Sequence, residues 1–299
     1  MRGILRLGTG LEPLLRAIRF HQWAKNLLVF LPATAGHQIF NLDTVLSLAV
    51  AFLSLSLMAS SVYIVNDALD LEADRWHPTK RLRPFASGTL SLRAGSGLSV
   101  LLFSVAIAVA LSLPHAVLVL LLAYALISIG YSVYLKRQPF VDVFVLVALY
   151  ELRLVVGHES TGVRYSYWFL MFFGFMFMSL ALLKRYNETQ FASAQKSSRI
   201  PGRAYFASEG PMLSTLGISC GVAAVVILAL YINSSDIRLV YRRPYLLVAW
   251  CPIILFSFAR LWRAAVHSEL DDDPVLYLLK DPLTYVLAVA GGIVAYLAL

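Results

Sequence analysis

Four acidic residues lie within a short stretch where the second of several long apolar runs ends. Asp67, Asp70 and Asp74 are spaced i, i+3 and i+7, so on a helix their carboxylates share one face. Ionised side chains at the edge of a membrane are costly and usually functional. Oxygen ligands suit Mg²⁺, which takes one or two carboxylates and completes its coordination with phosphate oxygens. We therefore predict that these aspartates are catalytic Mg²⁺ ligands that hold a diphosphate, with Asn66 as a polar contact to the substrate.

Basic side chains follow the acidic cluster and recur at the ends of two later apolar runs. Arginine binds phosphate oxygens bidentately and lysine binds them as a point charge. Basic and aromatic ends of apolar helices are also ordinary interface anchors, so each end taken alone is weak evidence. Together, basic helix ends on one side of a membrane would surround an anionic ligand. The predicted phosphate contacts are Lys80, Arg83, Lys136, Lys184 and Arg185, the last two as catalytic residues, and Tyr186 and Glu188 are predicted to face the substrate.

Two further cations are candidates for substrate contact. Lys25 lies at the start of the first apolar run, where it either takes a lipid phosphate or anchors the helix. Arg153 lies in the fifth run, two residues after Glu151, so the two side chains point to different helix faces. Ionisable groups inside a span should be paired or line a cavity. Arg153 therefore either reaches a central cavity or extends outward to the membrane surface.

The elements that must position these residues are membrane helices. Of the 299 residues, 59% are hydrophobic and 14% are charged, whereas a soluble domain carries about 25% charged residues. A membrane-spanning helix needs about 20 mostly apolar residues. We predict an all-α polytopic membrane protein that forms one domain over residues 1–299, with residues 1–25 as an interfacial segment. The nine predicted transmembrane helices are about 26–41, 44–65, 95–113, 115–134, 141–156, 168–183, 212–232, 244–262 and 283–299.

The distribution of positive charge predicts the orientation of these spans. The net charge is +8, and most of the 25 lysine and arginine residues lie in the N-terminal segment and in the loops after the even-numbered spans. The positive-inside rule places those segments in the cytoplasm. The acidic cluster and the basic helix ends then open to the cytoplasm. The net positive charge is explained by the membrane orientation of the loops and by their contact with anionic lipid or substrate. We therefore predict no nucleic-acid partner.

The motif Asn-Asp-x-x-Asp-x-x-x-Asp at 66–74 resembles the UbiA superfamily of intramembrane prenyltransferases. Three further strings, at 19–26, 74–84 and 184–188, resemble the branch of that superfamily that contains decaprenyl-phosphate phosphoribosyltransferase. The resemblance implies a UbiA-like bundle of nine transmembrane helices around a central cavity, with Mg²⁺ as cofactor. It also implies a bacterial cytoplasmic (inner) membrane location.

The resemblance implies transfer of a 5-phosphoribosyl group from phosphoribosyl diphosphate to a polyprenyl phosphate, a step towards lipid-linked D-arabinose for glycan arabinosylation. In this reaction Tyr186 and Glu188 would orient the sugar, and Lys25 and Arg153 would contact the phosphate of the acceptor lipid. The relatives that prenylate aromatic compounds carry a second aspartate-rich motif after the sixth span. Here Lys184 and Arg185 occupy that place with one carboxylate, Glu188.

Two other functions stay open at this point. The chain could be a prenyltransferase that moves a prenyl group from a prenyl diphosphate to an aromatic or other small acceptor. It could also be a transporter or a lipid-binding protein, which would favour broken helices and charges near the membrane midplane. The sequence leaves open whether the chain forms an oligomer.

Overall fold

The computed structural model describes residues 12–76, 79–194, 198, 200, 203–268, 270, 277–278 and 280–299. Within those residues the regular elements are all helices. The α-helices are α1 Glu12–Ile18, α2 Leu31–Ala35, α3 Leu42–Leu69, α4 Leu71–Trp76, α5 Leu92–Ala110, α6 His115–Val133, α7 Val141–Thr161, α8 Tyr167–Ala194, α9 Gly210–Ile232, α10 Trp250–Val266 and α11 Pro282–Ala298. The 3₁₀-helices are Phe20–Phe30, Gln38–Phe40, Lys80–Leu82, Leu135–Arg137, Ala207–Glu209, Asp236–Leu239 and Pro244–Ala249.

Six helical runs in the described residues are long and apolar enough to cross a membrane, so the prediction of an all-α polytopic membrane protein is confirmed. They are α3, α5, α6, α8, Ala207–Ile232 and Pro244–Val266.

Three of the nine predicted spans do not form a helix that is long and apolar enough to cross a membrane. The first, 26–41, is divided between a 3₁₀-helix, α2 and a turn at His37, whose φ is 55°. The fifth lies in α7, which contains four ionisable residues besides a histidine, and the ninth lies in α11, which has 17 residues. The interfacial segment 1–25 can be followed only from residue 12, because residues 1–11 lie outside the described part.

The chain forms two compact units, residues 1–134 with 152–163 and residues 135–151 with 164–299. In the first unit α3 packs against α5 and α6. Buried serines join these helices: Ser54 Oγ donates to the carbonyl of Ala106 at 2.8 Å, and Ser61 and Ser99 each donate to the other's carbonyl at 2.9 and 3.1 Å. Small polar residues suit this role because they allow close helix approach and supply hydrogen bonds where lipid offers none.

In the second unit α8, α9 and α10 pack together through small residues. Gly217 lies under the indole of Trp262, where a Cβ atom would fall 2.2 Å from Trp262 Cζ2. The indole N–H of Trp262 donates to Ser179 Oγ on α8 at 3.1 Å. The absence of a side chain at Gly217 therefore fixes how closely α9 approaches its neighbours.

We predict that Gly217→Ala destabilises the protein. The new methyl group overlaps the Trp262 ring and lies 3.2 Å from Leu182 Cβ, and overpacking of this kind costs about 1–3 kcal/mol. The matched control is Gly97→Ala on α5, where an added Cβ meets no atom within 4 Å. In detergent, the melting temperature should fall by several degrees for Gly217→Ala and stay within a degree or two for Gly97→Ala. Equal melting temperatures for the two variants would contradict this packing.

Candidate active site

The acidic motif spans the junction between two helices of the first unit. α3 ends at Leu69, Asp70 caps it with φ −92° and ψ 7°, and α4 begins at Leu71. Asp67 and Asp74 are both 4% exposed, whereas Asp70 is half-buried. The continuous helix predicted through the three aspartates is therefore wrong at Asp70, where it is interrupted. Asp67 and Asp74 converge across this interruption on a shared partner, Arg83.

Two arginines hold the converging carboxylates. The guanidinium of Arg19 donates from Nη2 to both oxygens of Asp67, at 2.6 and 2.8 Å. Nη1 of Arg83 donates to Asp67 Oδ1 at 3.1 Å and to Asp74 Oδ2 at 2.7 Å. Two buried carboxylates are thus matched by two guanidinium groups, which is what burial of charge requires.

Arg19 is placed by an uncommon backbone conformation. It lies between α1 and the 3₁₀-helix Phe20–Phe30, with φ 57° and ψ 52°. A left-handed conformation at a residue other than glycine costs about 1–3 kcal/mol and persists only where surrounding contacts enforce it. Here those contacts include the ion pair with Asp67 and the ring of Tyr63, whose centroid lies 5.4 Å from the Arg19 guanidinium carbon.

The cluster suits a divalent cation that is shared with a substrate. Within the described residues, no three acidic, histidine or cysteine side chains converge closely enough to hold a metal by themselves. However, Asp67 and Asp74 both reach one nitrogen of Arg83, so a single cation can contact both carboxylates. In addition, Asn66 Oδ1 is buried with no hydrogen-bond donor among the described residues. Two carboxylates and an amide oxygen are ligands that Mg²⁺ accepts when phosphate oxygens complete its coordination.

The other predicted residues of the first unit lie in different surroundings. Lys80 is exposed, on the 3₁₀-helix Lys80–Leu82, and Lys25 is half-buried, on the 3₁₀-helix Phe20–Phe30. Arg153 is buried: its Nε donates to Asn26 Oδ1 at 2.9 Å, and its Nη2 donates to the hydroxyl of Tyr124 at 3.3 Å. Of the two positions predicted for Arg153, inward or towards the membrane surface, the structure has the inward one.

A second charged cluster lies in the second unit, at the end of α8. Arg185 is fully buried, with Nε 2.7 Å from Asp142 Oδ2 and Nη1 2.5 Å from Glu188 Oε2. Arg203 Nε lies 3.7 Å from the same oxygen of Glu188. Arg185 is therefore engaged by two protein carboxylates, in contrast to the open phosphate contact that its sequence position suggests.

Tyr205 joins this cluster to the turn that carries Lys136. Its hydroxyl donates to Asp142 Oδ1 at 2.7 Å and accepts from the backbone N–H of Phe140 at 2.7 Å. Burial, together with the hydrogen bond to Asp142, raises the pKa of Tyr205 well above its usual range, so the hydroxyl stays protonated. Nη1 of Arg203 donates to the backbone carbonyl of Lys136 at 3.3 Å.

The remaining predicted residues of the second unit differ in their exposure. Lys184 and Lys136 are half-buried, and Tyr186 is buried against the ring of Trp262, with ring centroids 5.8 Å apart. The amide nitrogen of Asn187 is buried without an acceptor among the described residues. Of these residues, Asn187 offers a donor that no described residue accepts.

Sequence reasoning missed four residues of these clusters: Arg19, Asp142, Arg203 and Tyr205. Arg19 belongs to a string that resembles known relatives, but nothing in the string indicates its partner. Asp142 had a usable signal, because an acid near the start of an apolar span should be paired. For Arg203 and Tyr205 the sequence offered no signal.

Long apolar helices with two buried clusters of charged residues define a polytopic membrane protein. The sequence matches the UbiA prenyltransferase family over residues 27–279. The chain therefore belongs to the UbiA prenyltransferase family, a family of membrane transferases.

Similar sequences come from several bacteria. The chain is 34% identical over 273 residues to an uncharacterised protein, y4nM, of Sinorhizobium fredii, across 91% of this chain and 53% of that protein. It is 30% identical over 280 residues to the nodulation protein NoeC of Azorhizobium caulinodans, across 93% and 91% of the two chains. It is 36% identical over 181 residues to the decaprenyl-phosphate phosphoribosyltransferase of Corynebacterium glutamicum, across 59% and 54%. The chain thus spans about half the length of the first and third of these relatives.

Solved structures share the fold. A UbiA homologue from Archaeoglobus fulgidus, bound to DMAPP and Mg²⁺, superposes with a TM-score of 0.65 at 17% identity, across 95% of both chains. The same homologue bound to GPP and Mg²⁺ gives a TM-score of 0.66 at 16% identity, across 95% of this chain and 96% of that chain.

We predict that Arg83→Gln destabilises the protein and increases its response to Mg²⁺. The substitution removes the guanidinium that Asp67 and Asp74 share. A buried charged group left without its partner costs about 1–3 kcal/mol or more, so the melting temperature without Mg²⁺ should fall by several degrees. Because a divalent cation can take the place of the guanidinium between the carboxylates, Mg²⁺ should raise the melting temperature of the variant more than that of the wild type.

The control is Arg16→Gln, which breaks an ion pair with Glu12 whose side chains are 67% and 70% exposed. Exposed pairs contribute little, so this variant should melt with the wild type and respond to Mg²⁺ equally. If Arg83→Gln behaves as Arg16→Gln does, the shared guanidinium does not hold the acidic cluster together.

Proposed function

We propose that the chain transfers a 5-phosphoribosyl group from phosphoribosyl diphosphate to a polyprenyl phosphate, and that the product supplies lipid-linked D-arabinose for glycan arabinosylation. The observation that carries the proposal is the charge at the end of α8. A second acidic motif in that place would bind another metal, but this chain has Lys184, Arg185 and Glu188 there. Fixed cations suit a phosphorylated sugar, and the likeness to the Corynebacterium enzyme supports the same donor.

The acidic cluster is proposed to hold the leaving diphosphate through Mg²⁺. Asp67 and Asp74 contribute the carboxylates that already converge on one cation, and Asn66 contributes its unpaired amide oxygen. Asp70, at the helix break beside them, is proposed as a ligand that acts directly or through water. When bound, Mg²⁺ supplies positive charge that stabilises the diphosphate as it leaves.

The basic residues are proposed to bind the phosphate groups directly. In the first unit, a cation at Asp67 and Asp74 would release Arg83 to donate to phosphate oxygens, and Lys80 is proposed to contribute a further contact. In the second unit, the proposed contacts are Lys136 and Lys184. Arg185 is proposed to act through Glu188, because its own charge is balanced inside the protein.

The reaction needs few protein groups beyond the Mg²⁺ ligands and the cations that bind phosphate. An anionic oxygen of the lipid phosphate attacks C1 of the ribose, while the bond from C1 to the diphosphate oxygen breaks and the diphosphate takes the electron pair. Because the attacking oxygen carries no proton, no general base is required. Tyr186 and Glu188 are proposed to orient the sugar. Lys25 and Arg153 are proposed to contact the acceptor phosphate, with Arg153 held by Asn26 and Tyr124.

We propose the membrane arrangement that the sequence predicts. Nine spans around a central cavity form one domain in the bacterial cytoplasmic membrane. The acidic cluster and the basic helix ends open to the cytoplasm, where a sugar diphosphate is available.

Transfer of a prenyl group is the second candidate. It is favoured by the likeness in fold to the Archaeoglobus homologue, which was solved with DMAPP and Mg²⁺. Both reactions break a bond from carbon to a diphosphate oxygen, so the acidic cluster would serve either one.

The two candidates are separated by the donor that membranes containing the protein use. With labelled phosphoribosyl diphosphate, polyprenyl phosphate and Mg²⁺, we expect a labelled lipid that disappears when Mg²⁺ is chelated. Asp74→Asn should lower the rate by roughly 10²–10³-fold, because the diphosphate loses its stabilisation as it leaves.

Asp43→Asn is the matched control, since Asp43 is exposed in the first turn of the same α3 helix and far along the chain from the motif. It should retain full activity. A wild-type protein that labels lipid only from a prenyl diphosphate would refute phosphoribosyl transfer, and full activity in Asp74→Asn would refute the role of the acidic cluster.

A further inference from the structure

The turn that carries Lys136 is fixed by contacts from a distant part of the second unit. It comprises the 3₁₀-helix Leu135–Arg137 and ends at Phe140, the residue before the start of α7. Phe140 has φ 62°, which is an outlier for a bulky side chain. Such a conformation persists only where the surrounding structure enforces it.

Tyr205 holds Phe140 through two contacts. Its hydroxyl accepts the backbone N–H of Phe140, and its ring meets the Phe140 ring edge-on, with centroids 6.0 Å apart. Tyr205 is itself 1% exposed and is fixed by its bond to Asp142. The same hydroxyl therefore holds both the last residue of the turn and the first turn of α7.

Arg203 holds the other end of the turn. Its Nη1 donates to the backbone carbonyl of Lys136, and its Nε lies near Glu188. Asp142 is in turn paired with Arg185 on α8. A continuous chain of polar contacts thus joins the backbone of the turn to α8.

This chain of contacts fixes the backbone of Lys136 and of the turn that carries it. The carbonyl of Lys136 is bonded to Arg203, and the Phe140 N–H four residues later is bonded to Tyr205. A lysine is a flexible point charge, so the position of its ammonium group depends on where the backbone starts. Preorganised backbone lowers the entropy cost of binding a ligand.

We propose that Tyr205 is a positioning residue for Lys136 and thereby sets the affinity of the protein for the diphosphate of its donor substrate. The inference rests on the proposed phosphate contact of Lys136. It does not depend on whether the donor carries a phosphoribosyl or a prenyl group. Tyr205 itself touches no substrate in this account and acts only through the turn.

The test is a double-mutant cycle of Tyr205→Phe and Lys136→Ala, with inorganic diphosphate and Mg²⁺ as the probe and calorimetry of the full-length protein in detergent. We expect Lys136→Ala to weaken binding about tenfold, as loss of a charged hydrogen bond does. Tyr205→Phe, which removes only the hydroxyl, should weaken binding about fivefold in the wild-type background. In the Lys136→Ala background it should have an effect of less than twofold, because the turn then has no lysine to position.

Two further variants separate positioning from folding. Arg203→Gln removes the hydrogen bond from Arg203, whose side chain is 17% exposed, to the Lys136 carbonyl. This variant should lose as much diphosphate affinity as Tyr205→Phe, and the loss should again nearly vanish in the Lys136→Ala background. Tyr241→Phe removes the hydroxyl of another buried tyrosine outside this network, and it should bind diphosphate as the wild type does. With phosphoribosyl diphosphate as substrate, KM should rise in Tyr205→Phe while kcat changes less than twofold.

The outcomes distinguish this inference from the proposed function. Absence of phosphoribosyl transfer in the wild type would refute the proposed function and leave the binding cycle valid. Equal weakening by Tyr205→Phe in both backgrounds would assign Tyr205 a general structural role and overturn the inference. The inference would also be overturned if Lys136→Ala left diphosphate binding unchanged, or if the wild type did not bind diphosphate in the presence of Mg²⁺. If Tyr205→Phe does not fold, the Arg203→Gln cycle decides in the same way.

Discussion

The first unit depends on one constraint: a carboxylate buried at the end of an apolar helix must be paired. Asp67 meets it by accepting from Arg19 and Arg83, and Arg83 extends the pairing to Asp74. These bonds tie three separate parts of the chain together. The segment before the first apolar run is held to α3, and the loop after α4 is folded back onto it. The left-handed backbone at Arg19 is one consequence. A site prepared in this way has its carboxylates already converged, and its arginines are the residues that a bound diphosphate would attract.

The same constraint produces a different result in the second unit. Arg185 is fully buried, so Asp142 and Glu188 must accompany it, and Arg203 then balances the second carboxylate. These ion pairs fix the end of α8, and the bonds of Tyr205 fix the turn before α7. In this unit we propose Lys136 and Lys184 as phosphate contacts.

The sequence predicted those features that are encoded locally. Runs of apolar residues predicted the long helices, and the acidic motif with its following basic loop identified Asp67, Asp74 and Arg83 as members of one site. The features it could not predict depend on contacts between distant residues. Arg19 and Asp67 are 48 residues apart, and Tyr205 and Asp142 are 63 apart. The helix break at Asp70 also escaped, because helical spacing continues through it. Arg185 was predicted as a phosphate contact on its neighbours alone, whereas its partner Asp142 lies on a different helix.

We propose that Asp67 and Asp74 exchange their arginine partners for a metal-bound diphosphate. An experimental structure of the protein with Mg²⁺ and phosphoribosyl diphosphate tests this most directly. We predict metal density about 2.0–2.1 Å from an oxygen of Asp67 or Asp74, with Arg83 moved from the carboxylates to a phosphate oxygen. Metal and diphosphate bound elsewhere, with the bonds from Arg19 and Arg83 to the two aspartates unchanged, would contradict it.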